Sequence, residues 1–229
     1  EDGEAGPSTA DWDLSADGRW LVFLERPATE AGDGGGVFEA VDLSANPPER
    51  HDLATCEPFD AVNQGWVVPC RPWVAIAPDG AGAAVAEPTE MRLLTLSGGS
   101  GRTLWPNWFG ESAAGIRMYR PEQWSPDGRR ILASVGHYEG ISRAVVDLPS
   151  ESLWPIPDSV EYAGPSADYA WLPDGSAIVQ AVANGVTGDW LLRLVDLPPG
   201  IRELLPARAL GHGADLSALA PAIAPDGRV

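Results

Sequence analysis

The amino-acid sequence predicts an all-β chain assembled from repeated four-stranded units, and three observations carry the prediction. An Asp-Gly turn recurs five times at near-constant spacing. Each turn divides two apolar, strand-like runs. No window of 11 or more residues keeps a helical period without Pro or Gly interrupting it.

The turns read Ser15-Ala16-Asp17-Gly18-Arg19, Ala77-Pro78-Asp79-Gly80, Ser125-Pro126-Asp127-Gly128-Arg129, Leu172-Pro173-Asp174-Gly175 and Ala224-Pro225-Asp226-Gly227-Arg228. Their aspartates stand 62, 48, 47 and 52 positions apart. A period near 50 is the size of one four-stranded propeller blade, so the predicted architecture is a β-propeller. Glycine supplies the positive φ of the turn, and aspartate accepts hydrogen bonds from its amides. The proline before it fixes φ and has no amide to donate. Asp17, Asp79, Asp127, Asp174 and Asp226 are therefore expected to be structural.

The strands follow in order. The run before each turn carries a tryptophan in four copies: Trp12, Trp73, Trp124 and Trp171. A second strand is expected at 20–24, 83–86, 131–135 and 177–182. A third strand ends in Val41-Asp42-Leu43, Val146-Asp147-Leu148 and Val195-Asp196-Leu197, whose aspartates are expected to cap strand ends. In the second unit, residues 91–96 hold that place without the aspartate. A short fourth strand follows at 51–53, 103–105, 153–154 and 203–205. The expected blades are 11–54, 66–106, 118–158 and 166–206, with a fifth beginning near Ser217. Residues 1–10 read as a flexible lead-in, and 11–229 as one propeller domain whose last blade is cut short.

The best copy, Gln123-Trp124-Ser125-Pro126-Asp127-Gly128-Arg129-Arg130-Ile131-Leu132, resembles the TolB-type, WD40-like (PD40) propeller repeat. The resemblance extends over nearly the whole chain. Gly211-His212 is similar to the start of a true WD40 repeat, but no Trp-Asp dipeptide closes any blade. The resemblance implies a ring of six or more blades, with the Asp-Gly turns on one face. The other face would carry the second-to-third strand loops and the links between blades, and would contact other proteins. Similar repeats also form the gating propeller of prolyl-oligopeptidase-like serine peptidases, whose catalytic triad lies in a separate hydrolase domain.

Composition narrows the function classes. The chain has 33 acidic and 15 basic residues, all of the latter arginine, and a net charge of −18. Such a balance repels phosphate backbones, and no basic run offsets it, so no nucleic-acid partner is expected. No run approaches 18 apolar residues, so this chain is not expected to insert into a membrane. Cys56 and Cys70 flank a loop containing Pro and Gly and predict a disulfide, the alternative being two buried thiols. A disulfide places the protein in an oxidising compartment, extracellular or periplasmic.

The predicted contact face is aromatic. Trp66, Trp105, Trp108, Phe109, Tyr119, Tyr138 and Tyr162 lie in or beside its loops, and residues 105–109 form the densest patch. Aromatic side chains bring large contact area at low entropic cost. Packing between blades is the competing use for each of them. No G-x-S-x-G elbow occurs, and His51, His137 and His212 have no ligand spacing. No catalytic residue, metal site or cofactor is therefore assigned. The expected function is a non-catalytic protein-binding or scaffold propeller that is exported, with self-assembly as one form of contact. The alternative is a peptidase gating propeller.

Overall fold

The structure is a computed structural model, which describes residues 12–26, 34–60, 67–99, 101–107, 117–137, 140–156, 168–183, 190–198 and 200–205. Every regular element among them is a strand. Four antiparallel sheets of four strands follow one another along the chain. Blade 1 holds β1 (Trp12–Leu14), β2 (Trp20–Glu25), β3 (Gly36–Asp42) and β4 (Glu49–Cys56). A small hairpin of β5 (Phe59–Asp60) and β6 (Val67–Val68) comes next. Blade 2 holds β7 (Val74–Ile76), β8 (Gly82–Ala86), β9 (Glu90–Thr95) and β10 (Arg102–Pro106). Blade 3 holds β11 (Met118–Trp124), β12 (Arg130–His137), β13 (Gly140–Asp147) and β14 (Ser152–Pro155). Blade 4 holds β15 (Asp168–Trp171), β16 (Ala177–Ala183), β17 (Trp190–Asp196) and β18 (Gly200–Leu205).

The second blade therefore starts later than position 66. Val67 and Val68 pair with Asp60 and Phe59, not with blade 2. The Cys56–Cys70 disulfide closes this segment at its base, with Cα atoms 6.0 Å apart. Arg26 donates to the Cys70 carbonyl at 3.3 Å, and the Cys70 amide donates to the Gly34 carbonyl at 2.8 Å. Gly34 has φ +75°, and a Cβ there would lie 2.8 Å from the Pro69 ring. A side chain at 34 would thus be strained twice over.

The turns explain their own sequence. In blade 3 the Ser125 hydroxyl donates to Asp127 Oδ1 at 2.6 Å and accepts from the Arg130 amide at 2.9 Å. The Arg129 amide donates to the same Asp127 oxygen, and the Gly128 amide donates to the Ser125 carbonyl. Ser15, Asp17, Gly18 and Trp20 repeat this arrangement in blade 1. Blades 2 and 4 have Ala77 and Leu172 in place of the serine. There the aspartate still accepts from an amide two residues on, from Ala81 and Ser176. At the end of the third strand, beside the start of the second, Asp42 accepts from Arg19 and Ser44, and Asp147 accepts from Arg130 and Ser150.

The core lies between blades, not within them. Each sheet alternates its side chains between two neighbours, as a period of two demands. In β12, Ile131, Ala133 and Val135 pack toward blade 2, while Leu132 packs toward blade 4. In β8, Ala83 and Val85 face blade 1 and Ala84 faces blade 3. This double burial explains why the second strands are apolar on both faces, with Ser134 and Gln180 as buried polar exceptions.

Candidate contact face and inner strands

The first strands of consecutive blades lie side by side: β7 touches both β1 and β11. Their cross-links use polar groups that strand pairing leaves over. Asp13 accepts from the Ile76 amide at 2.6 Å, and Trp124 Nε1 donates to the Ala75 carbonyl at 2.8 Å. Beside them lies a groove of about 380 Å³, lined by Asp13, Ser15, Pro78, Glu122 and Gln123 among others.

The face formed by the Asp-Gly turns is knitted together. A Cβ on Gly80 would touch the Trp20 indole at 3.8 Å. One on Gly175 would meet the Asp127 carboxylate at 3.1 Å. Arg130 bonds to Asp147 of its own blade and donates to the Gly175 carbonyl of the next blade at 2.8 Å. Two turn carboxyls are held below the usual range: Asp17 by the Ser15 hydroxyl and then the Arg19 amide, Asp174 by the Ser176 hydroxyl and then its amide.

The opposite face is where sequence reasoning placed the contact aromatics. Trp105 and Tyr119 fall among the described residues. Tyr119 is buried and Trp105 half-buried, and their rings meet edge-on with centroids 6.3 Å apart. They belong to the layer between blades 2 and 3. Trp66, Trp108, Phe109, Tyr138, Tyr162 and the turn residue Asp226 lie outside the described residues, as does the 1–10 lead-in.

Several residues of this face escaped the sequence reading. Asn107 is a clamp: its amide donates to the carbonyls of Glu87 and Pro88, and its oxygen accepts from the Tyr119 amide at 2.8 Å. It ties the exit of blade 2 to the entry of blade 3. An asparagine in a loop carries no signal of partners 12 to 20 positions away. Arg120 lies over the Trp73 ring, its guanidinium carbon 3.9 Å from the centroid. Burial, and then the charge of Arg71, lowers the pKa of that guanidinium. Arg143 donates to Glu122 at 2.8 Å and stands over the Tyr169 ring. Of the histidines, His51 packs on the Trp20 indole at 5.6 Å. Among the described residues, no group of three His, Cys, Asp or Glu could hold a metal ion, and no helix is long and apolar enough to cross a membrane.

No family model and no curated protein matches the chain. Solved structures do. A prolyl endopeptidase aligns with 85% of this chain and 28% of its own, at 14% identity and a TM-score of 0.54. An oligogalacturonate lyase from Vibrio parahaemolyticus aligns over 84% of this chain and 52% of its own, at 14% identity and a TM-score of 0.51. TolB from Acinetobacter baumannii aligns over 86% and 43%, at 13% identity and a TM-score of 0.48. The present chain thus spans between about a quarter and half of these proteins. The four successive four-stranded blades, with the likeness in fold to the endopeptidase and the lyase, make this chain a β-propeller.

Proposed function

We propose that this chain is a non-catalytic binding propeller that meets a protein partner through the face opposite its Asp-Gly turns. The observation that carries the reading is the inequality of the two faces. Turn-to-turn packing and the Arg130 bridge occupy one face, whereas the other holds the Asn107 clamp, Trp105, and the arginines over Trp73 and Tyr169. The Cys56–Cys70 disulfide supports an exported protein, extracellular or periplasmic. The test compares two sets of substitutions in capture of partners from the source organism's exported fraction. Trp108→Ala with Phe109→Ala should abolish a specific, stoichiometric partner. Asp79→Asn, on the turn face, should leave it bound. Equal capture by both variants would overturn the reading.

A second reading has its own support, the likeness to a prolyl endopeptidase. There the chain is the gating propeller of a serine peptidase, and the hydrolase domain lies elsewhere in the protein. A fluorophosphonate probe separates the two readings. Labelling of the native protein at a serine outside these 229 residues would establish the peptidase reading; an unlabelled native protein would eliminate it.

A further inference from the structure

The pairing register sets Arg120, Ser134 and Arg143 in one row across blade 3. The row crosses the middle of the strands, with three further paired rows between it and the end away from the Asp-Gly turn. Arg120 is held there by shape. Its guanidinium stacks on Trp73 at 3.9 Å, and on another side Nη2 lies 3.2 Å from where a Cβ of Gly136 would stand. A Cβ at 136 would push the guanidinium by a few tenths of an ångström from this position. Its Nε is buried and meets no acceptor.

The surrounding charge is unusual for this chain. Arg19, Arg50, Arg92, Arg130 and Arg143 all pair with carboxylates. The charges that act on Arg120 are Arg71, Arg143 and Glu122, and Glu122 already accepts from Arg143. Two cations and one carboxylate thus act on Arg120, in a protein of net charge −18. A stacked, desolvated guanidinium with an unmet donor favours an anion far more than a solvated one does. The planar fork suits the two oxygens of a carboxylate or a phosphate.

We propose that Arg120, flanked by Arg71 and Arg143, binds an oxyanion, a carboxylate or a phosphate group of a ligand, with Trp73 and Gly136 fixing the guanidinium plane. The site is independent of the protein-contact reading and holds equally if this propeller gates a peptidase.

The experiment titrates the full chain with inorganic phosphate, and separately with succinate, against sodium chloride of equal ionic strength. Thermal midpoint and tryptophan fluorescence are the readouts. At least one of the two anions should raise the midpoint beyond chloride and change the fluorescence saturably. Arg120→Gln should weaken that binding at least roughly tenfold, as loss of a charge-assisted donor pair does. Arg50→Gln, on blade 1, should bind as the unsubstituted protein does. Should Arg120→Gln fail to fold, Gly136→Ala serves in its place, because it displaces the guanidinium without removing its charge. A response to phosphate alone identifies a phosphoryl ligand, and a response to succinate identifies a carboxylate. If neither anion exceeds chloride, or if Arg120→Gln and Gly136→Ala bind undiminished, the assignment is wrong.

Discussion

The layer between blades 1 and 2 and the layer between blades 3 and 4 perform the same architectural task with different chemistry. The first is apolar beyond Asp42 at its turn end: Val22, Leu24, Phe38, Ala40, Val74, Ile76, Val85 and Leu94 fill it, and the disulfide closes its far end. The second is apolar only near the turns, where Leu132, Val145, Ile178 and Val195 meet. Farther from the turns it holds Ser134, Arg143, Tyr169 and Gln180, all buried. Buried side-chain atoms without a hydrogen-bond partner include Trp171 Nε1 and Gln180 Oε1, both in this layer. Stability and polarity thus divide along the chain. The first interface is built to stay shut, while the second tolerates polar groups that cost about 1–3 kcal/mol each when unmet. Such a cost is expected where a site must stay polar.

The comparison breaks most visibly at Phe38. It is fully buried in the first layer, so Phe38→Ala should cost about 3–5 kcal/mol in urea unfolding, from lost burial plus the cavity left behind. A loss below about 1 kcal/mol would mean that this layer collapses around the gap and is not the rigid one. The disulfide comes next. Replacing Cys56 and Cys70 together by serine should cost about 3 kcal/mol, the chain-entropy value for a loop of this size. In the unsubstituted protein, reduction should add about 2 Da to the intact mass; an unchanged mass would remove the bridge and the argument for export.

How far the sequence revealed this difference depends on how local each cause is. The Asp127 turn is legible because all its hydrogen bonds stay within five positions, from Ser125 to Arg130. The cysteine pair is legible because nothing else competes for either thiol. The tryptophan pattern misled at blade 2. Trp124 and Trp171 stand three positions before their aspartates, but Trp12 and Trp73 stand five and six before theirs. Ile76 and the exposed Leu14 hold the equivalent places, so the four tryptophans are not one repeated position. The Trp73–Arg120 stack joins residues 47 positions apart and has no local signature. Tyr119 read as a contact aromatic because it borders a long loop, with packing as the competing use, and its strand register turns it into the layer between blades 2 and 3.

Acid should act on the second interface through Asp147. Burial alone would raise its carboxyl, but the hydrogen bonds from Ser150 and Arg130 outweigh burial and hold it below the usual value. With the folded value below the unfolded one, its stabilisation is complete above the unfolded value of ~3.9 and is lost as pH falls toward the folded value. Protonation would also release Arg130, which reaches across to the Gly175 carbonyl. Stability measured from about pH 5 down to 2 should therefore fall less steeply in Asp147→Asn than in the unsubstituted protein. Identical slopes would show that this bridge does not hold the third and fourth blades together.

The smallest effect is also the sharpest test of the contrast. Gln180 is fully buried, and its Nε2 reaches the Tyr169 hydroxyl at 3.1 Å, while Oε1 has no donor. Gln180→Leu removes one modest hydrogen bond and one unmet acceptor together. The two terms oppose each other, and the net change should lie within about 1 kcal/mol of zero. The same side chain placed in the first layer would be ruinous, because Phe38→Gln leaves a buried amide among aliphatic groups with nothing to bond. A loss above about 2 kcal/mol for Gln180→Leu would show that Oε1 is met by a donor in solution. The second interface would then be as fully satisfied as the first, and its polarity would no longer set it apart.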